Sequence, residues 1–583
     1  MRTRELREAL ESHPLPVLRA IAASHGLESG GRREELIETL GLHLAQPETV
    51  ARLLADLNGS ERALLDWLIG EGGSVPAHRV QRDPEGGELR QLGGGALERV
   101  RPWETPISST ERLWYLGLIS LTFAEIGDFR GQVFFIPNEI FALLPPVEKA
   151  PPRFEVEPPG SGPPAAVRPA DLTIVEDAFA ALSEIQRSPA EATDGRFLPL
   201  ATLQQLNRRL LLPEPGSWQH ERETQRLGLL LHLLRALNLF TVGRNGRFRL
   251  VYPRVRRWLQ ASRDRRLLSL QRAWRQDPVW NELWRVPELR IEPTGWRNDA
   301  QRARERVLHW LAQVPVGEWV TISSFVRAIK TVDPDFQRPD GDYDSWYIKQ
   351  AKTGEFLRGW ENWDRVEGAL ISYLLRGPLA WLAAVDLGYH SSGETRAFAF
   401  RLAPWGARFL GRPATLTAPP ARAPMHVTRE GVVEVPPGAD DWERLHLERL
   451  TVPLDEPAGP TTRYALDKDR LIALIMDGTD PERILRFLRT AGGGALPEPV
   501  ESQLRGWAIG WGRITLRRSL ILETDDPALL RDLQRQPHLR RFFKRQFNNR
   551  TVTIADENLE ELVATLRRAG YLPRLEGVGE AGE

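Results

Sequence analysis

Cysteine is absent from the 583-residue chain, which excludes disulfides, thiolate zinc sites, iron–sulfur clusters and cysteine nucleophiles together. Lysine is scarce: it stands only at positions 149, 330, 349, 352, 468 and 544, so 72 of the 78 basic residues are arginine. None of the six follows a glycine. A phosphate loop of the form G-x-x-x-x-G-K-[ST] needs that pair, because its lysine reaches the transferred phosphate. No motor ATPase is therefore expected. Gly-x-Ser-x-Gly and His-Glu-x-x-His are also missing, which removes the nucleophile elbow and the helical zinc-protease pair. Long apolar runs are lacking too. The most apolar stretch, 370–387, is interrupted by Arg376, Pro378 and Asp386, whereas a membrane span needs about 18 nearly uninterrupted apolar residues. The first residues carry charge where an export signal needs an apolar run. No membrane contact is expected, and the expected location is cytoplasmic, with nucleoid association compatible.

Surplus charge of either sign is missing as well, with 78 acidic residues against 78 basic. That argues against a dedicated nucleic-acid coat, which is strongly basic, so any positive surface has to be local. The remaining chemical candidates are weak. Asp525 and Asp526 are adjacent and would point apart on a strand; Asp526 before Pro527 reads as a helix N-cap. The glycine runs 93–95 and 492–494 read as loops. The 11 histidines are scattered, with no metal-ligand spacing. Neither a metal nor a cofactor is expected, and the chain reads as no enzyme.

What is present is ordinary globular sequence, 41% hydrophobic and 27% charged, long enough for several domains. The first 56 residues read as short helices. Residues 57–146 then follow the order helix, helix, helix, hairpin, the plan of a winged helix. Residues 147–170, rich in proline and glycine, read as a linker without a core. The plan repeats over 171–262, where Asn245-Gly246 marks a tight hairpin turn. A helical connector, 263–300, carries Trp274, Trp280 and Trp284, which are expected to pack between domains. A third copy, 301–412, has expected strands at 379–386 and 397–402 and an insertion at 331–361 whose role the sequence leaves open. A second linker spans 413–424. Residues 425–575 alternate strand and helix signals, and 576–583 form a tail. The expected fold class is mainly α with α+β units, a multidomain array.

Two stretches resemble known families. Residues 15–40, LPVLRAIAASHGLESGGRREELIETL, are similar to a SAP domain through Leu18, Gly26-Leu27, Gly31, Arg33, Leu36 and Leu40. Residues 464–573 resemble the XPB-type helicase N-terminal domain found in bacterial helicase-associated proteins. The stretches YALDKDRLIALIMDGTDPERILRFL, LPEPVESQLRGWAIGWGRITLRRSLILETDDPALLRDL and NLEELVATLRRAGYLP carry that likeness. It implies DNA binding, duplex or forked, or docking to an XPB-like helicase or associated nuclease in repair or transcription.

The residues expected to contact DNA are thirteen arginines, which pair bidentately with phosphate, and one lysine. They are Arg32 and Arg33 in the SAP-like segment; Arg244, Arg247 and Arg249 on the second hairpin; and Arg254, Arg256 and Arg257 just after it. In the last domain they are Arg513, Arg517, Arg518, Arg541, Lys544 and Arg545. The run continues past the hairpin through Arg263, Arg265, Arg266, Arg272 and Arg275. Phe542, Phe543 and Phe547, interleaved with cations, are candidates for base stacking, with a core role the plainer reading. Two alternatives stay open: a protein-interaction scaffold with little DNA affinity, and a transcription regulator.

Overall fold

The computed structural model describes residues 5–127, 129–147, 153–160, 162–418, 420–454, 461–509, 519–555 and 558–576. The chain is mixed, with 46% helix and 14% strand in small antiparallel sheets. It forms two compact units: residues 1–426 with 433–465, and residues 427–432 with 466–583. Among the described residues no helix is long and apolar enough to cross a membrane.

The first unit opens with four short helices, Leu6–Ser12, Leu15–Ser24, Arg33–Leu44 and Pro47–Asp56. Their apolar residues, Leu18, Ile21, Leu40 and Leu44 among them, share one core with Leu64, Leu113, Leu118 and Phe134 from the segment that follows. That segment starts at Asn58, which caps Gly59–Gly70 by accepting from the Glu61 N–H at 2.9 Å, while Glu61 returns a bond to the Asn58 N–H. This reciprocal pairing satisfies two helix-end donors. Strand Ser74–Pro76, helices Ala77–Arg82, Gly94–Val100 and Ser109–Tyr115, and hairpin strands Ser120–Ile126 and Phe129–Phe135 follow. The sheet order places the last strand between the other two. Gly94 and Gly95, read as loop, open a helix.

The same order, without the additional helix Gly94–Val100, recurs twice. In the second copy, helices Thr173–Arg187, Leu200–Arg209 and Arg226–Ala236 precede hairpin strands Phe240–Val242 and Phe248–Leu250. The first strand shrinks to a bridge, Glu191 opposite Arg247. In the third copy, helix Ala300–Leu311, strand Trp319–Thr321, helices Ile322–Val332 and Trp363–Leu374, and strands Val385–Tyr389 and Ala399–Leu402 repeat the pattern. The expected strand at 379–386 is corrected: Pro378 sits in a helical turn, Leu375–Leu379, that prolongs the preceding helix, and pairing begins only at Val385.

Residues 147–170 are no linker over their described part. Ala166–Arg168 adds a fourth strand beside Leu387–Tyr389. Phe154 stacks on Trp310 at 5.1 Å and meets Phe325 edge-on. The Thr321 N–H donates to the Glu157 carbonyl at 3.0 Å. Proline and glycine set the local stiffness, but backbone pairing with a strand some 220 positions away needs only one exposed edge. The insertion 331–361 is likewise built in. Phe336, Tyr343 and Trp346 are buried, and Ile348–Gln350 pairs with Leu289–Ile291 of the connector. One continuous apolar core therefore runs from Ile174 through the connector to Leu445.

A further correction concerns residues 433–465, placed by their sequence in the last domain. They belong to the first unit. Helix Asp441–Leu447 packs on Tyr252–Leu259, and Leu445 joins the large core. By contrast, 413–418 and 420–424 carry neither helix nor strand.

The second unit holds helices Lys468–Met476, Pro481–Ala491 and Glu498–Trp507, then an antiparallel sheet. Leu520–Glu523 and Phe543–Gln546 flank Thr551–Ile554 in that sheet. Helices Pro527–Arg535, Pro537–Arg540 and Leu559–Arg568 close a small core of Leu533, Leu539, Phe542, Ile554, Leu562 and Leu566. Asp480 and Asp526 cap their helices through bonds to the Glu482 and Ala528 N–H groups, each followed by proline at the first helical position.

Candidate nucleic-acid interface

The second hairpin is built by alternation. Phe248 and Leu250 turn into the core while Arg249, between them on the strand, and Arg247, in the bridge just before it, face solvent. Arg244 stands in the turn, also exposed. The turn closes through Gly246, whose φ of +74° suits a residue without a Cβ. Its outer edge is held by Ala190 and Ala192, which bond Phe248 and Gly246 at 2.9 Å. The chain then enters helix Tyr252–Leu259, which buries Val255, Trp258 and Leu259 and exposes Arg254, Arg256 and Arg257. None of these six arginines has an ion-pair partner among the described residues.

Their neighbours in sequence behave differently. Arg263 pairs with Glu176 at 2.7 Å, Arg266 is buried against Asp441 at 2.6 Å, and Arg275 makes two 2.7 Å bonds to Glu305. Only Arg265 and Arg272 of that run are exposed. The expected basic stripe therefore stops near residue 257. Arg33 is also spent internally, on the carbonyls of Glu11 and His13, where a cation complements a helix C-terminus. Arg32 is exposed beside it.

In the second unit, Arg541 is exposed, pairs with Glu561 and lies over the Phe542 ring. Lys544 and Arg545 are exposed on the edge strand. Phe542 is core, Phe543 packs against that core, and only Phe547 is open, at 59%. Arg513, Arg517 and Arg518 lie outside the described residues.

The helix that precedes each hairpin is largely enclosed. Arg226–Ala236 buries Leu227, Leu229, Leu230, Leu231, Leu233 and Leu234 on every side, and its ends are tied by Arg226 to Asp177 at 2.6 Å and Arg235 to Glu221. Ser109–Tyr115 buries Glu111 against Arg90, and Trp363–Leu374 buries Glu367 against Arg338, both at 2.6 Å. Burial raises the Asp177 carboxyl above its usual range, against the pull of Arg226, and raises Glu367 in the same way against Arg338. Another group joins Glu448 to Ser183, Arg209 and Tyr464. Burial opposes the Glu448 charge, but Arg209 and Arg444 outweigh it and hold its carboxyl low.

Trp274 and Trp280 are buried and Trp284 is 46% exposed, so the expected packing role covers the first two. Among the described residues no cluster of three or more acidic or histidine side chains is placed to hold a metal ion. Sequence reading missed the cavity of about 430 Å³ between the second repeat and the connector, lined by Arg196, Phe197, Arg222, Trp280, Trp284 and Arg285 among others. Its cations are spread over 90 positions, and no local motif marks them. A comparison with known protein families found no match, and none was found among curated proteins.

Proposed function

We propose that this chain is a non-catalytic DNA-binding protein that grips the backbone of duplex or forked DNA and positions an XPB-like helicase. The three repeats are read as winged helices. Support comes from their order of helix, strand or bridge, further helices (three in the first repeat, two in the others) and hairpin, and from the first and third sheets, in which the last hairpin strand lies between two neighbours. The N-terminal helices are read as SAP-like and the second unit as XPB N-terminal-like.

One observation carries the DNA reading: six exposed arginines between 244 and 257 lack carboxylate partners among the described residues, in a unit where many other arginines have one. Guanidinium groups so placed bind phosphates without reading bases. Enclosure of the helix before each hairpin fits this, since those helices present little exposed face to a groove. The same enclosure favours the second reading, a scaffold that holds a helicase or nuclease by protein contacts alone. Fluorescence anisotropy against duplex, forked and single-stranded DNA at low salt separates the two. Binding of duplex or fork is expected; no binding to any form would hand the lead to the scaffold.

A further inference from the structure

The cavity between the second repeat and the connector is rich in donors and poor in acceptors. Arg285 reaches into it with no carboxylate within ion-pair distance among the described residues. Its guanidinium donates to the Thr224 carbonyl at 2.9 Å and lies 3.6 Å from the Trp280 ring centre, and burial lowers its pKa. Arg196 has no ion pair either and rests on the Phe197 ring at 4.8 Å. Arg222 rests on the same ring at 4.6 Å and pairs with Asp194 at 3.7 Å. The one carboxylate in the lining, Glu221, is consumed by Arg235 and by the Leu198 N–H. Two N–H groups of the lining, Trp280 Nε1 and Arg235 Nε, are buried without any acceptor.

A cation half-removed from water, without a counter-charge, is costly unless an anion completes the site. The volume falls within the usual range for small-molecule pockets, roughly 300–1,000 Å³. The lining also offers an open aromatic surface. Trp284 is 46% exposed and starts a row in which Trp296 lies 6.3 Å away and stacks on Trp346 at 4.8 Å. Positive charge beside an open indole matches an anion carrying a planar ring.

We infer that this cavity binds a nucleoside monophosphate group, its phosphate among Arg196, Arg222 and Arg285 and its base on Trp284. The group is either a free nucleotide or the phosphorylated end of a DNA strand. This does not depend on the hairpin arginines, which lie outside the cavity lining.

Calorimetric titration of the full chain with dAMP tests it, with inorganic phosphate alongside. Saturable one-to-one binding of dAMP is expected. The double variant Arg196→Gln/Arg222→Gln, at exposed positions that leave the core intact, should weaken it tenfold or more. Trp284→Ala should weaken dAMP by a similar factor while leaving phosphate unchanged. Competition by a 5′-phosphorylated oligonucleotide but not its 5′-hydroxyl counterpart identifies the source as a strand end; no competition by either, with dAMP bound, identifies a free nucleotide. Absence of dAMP binding, or full affinity in both variants, overturns the inference. The alanine variant of Arg244, Arg247 and Arg249 should bind dAMP normally, so the hairpin reading and this one fail separately.

Discussion

Changing Arg244, Arg247 and Arg249 together to alanine tests the electrostatic grip most directly, and the structure sets its size. Each phosphate neutralised releases counterions and adds about −0.9 to the slope of log K against log salt. Hairpin side chains supply three such groups. On helix Tyr252–Leu259, Arg254 and Arg257 lie about 60° apart around the axis, while Arg256 is roughly 160° from Arg254 at 3.6 residues per turn. A straight duplex running along the hairpin therefore meets at most two of the helix cations, about five contacts in all. The expected slope is about −4.5 for the native chain and about −1.8 for the triple variant. Between 50 and 200 mM salt the native affinity should fall roughly 500-fold and the variant's roughly 12-fold. Anisotropy on one labelled duplex at four or five salt concentrations reads both slopes, and Arg256→Ala should leave the slope in place. A triple variant that keeps the native slope would remove the hairpin from the mechanism, whatever its absolute affinity.

Three further outcomes probe the scaffold. Burial holds His13 neutral, with its pKa lowered to about 4; because the unfolded chain binds that proton more readily, stability should fall as pH drops from about 6.5 to about 4, by up to roughly 3 kcal/mol. Urea melts of the native chain and His13→Gln across that window read the difference, and identical pH profiles would contradict it. Glu367→Ala strands the buried Arg338 guanidinium, at a cost of about 3–5 kcal/mol. Arg338→Met with Glu367→Leu should lose much less, and equal losses would mean that packing rather than charge decides the site. A Cβ at Gly406 would stand 2.0 Å from the Ala384 carbonyl oxygen, so Gly406→Ala should lower the melting temperature through about 1–3 kcal/mol of overpacking; an unchanged melt would show that the backbone yields there.

Local signals in the sequence were readable where local chemistry decides the outcome. Asn245-Gly246 announced the hairpin, and Asp526 before Pro527 announced a helix start. Those signals act within a few residues. The roles of 153–168 and 331–361 were not readable, because they depend on which distant edge or apolar face is vacant. Ala166–Arg168 finds its partner at Leu387–Tyr389, and Trp346 finds Trp296; no window of a dozen residues contains both halves. The candidate interface was half legible. Counting arginines located the patch, but the same count ran on through Arg263, Arg266 and Arg275, whose carboxylate partners lie up to 175 positions away.

That difference explains how a chain of zero net charge can still present a cationic face. A buried guanidinium must be matched by a carboxylate, so Arg226, Arg304 and Arg338 each remove one acid and one base from the electrostatic sum. What is left over is a matter of position. No acidic residue stands between Glu223 and Asp264, and the arginines of that interval turn inward, as Arg226 and Arg235 do, pair with an acid outside it, as Arg263 does with Glu176, or stand exposed on the hairpin and its following helix. At physiological salt a phosphate senses charge within about 8 Å. Over that distance, acids spread through the rest of the molecule are screened; Glu191, opposite Arg247, is near enough to offset one of the six cations, and the balance at 244–257 remains positive although the sum over 583 residues is zero.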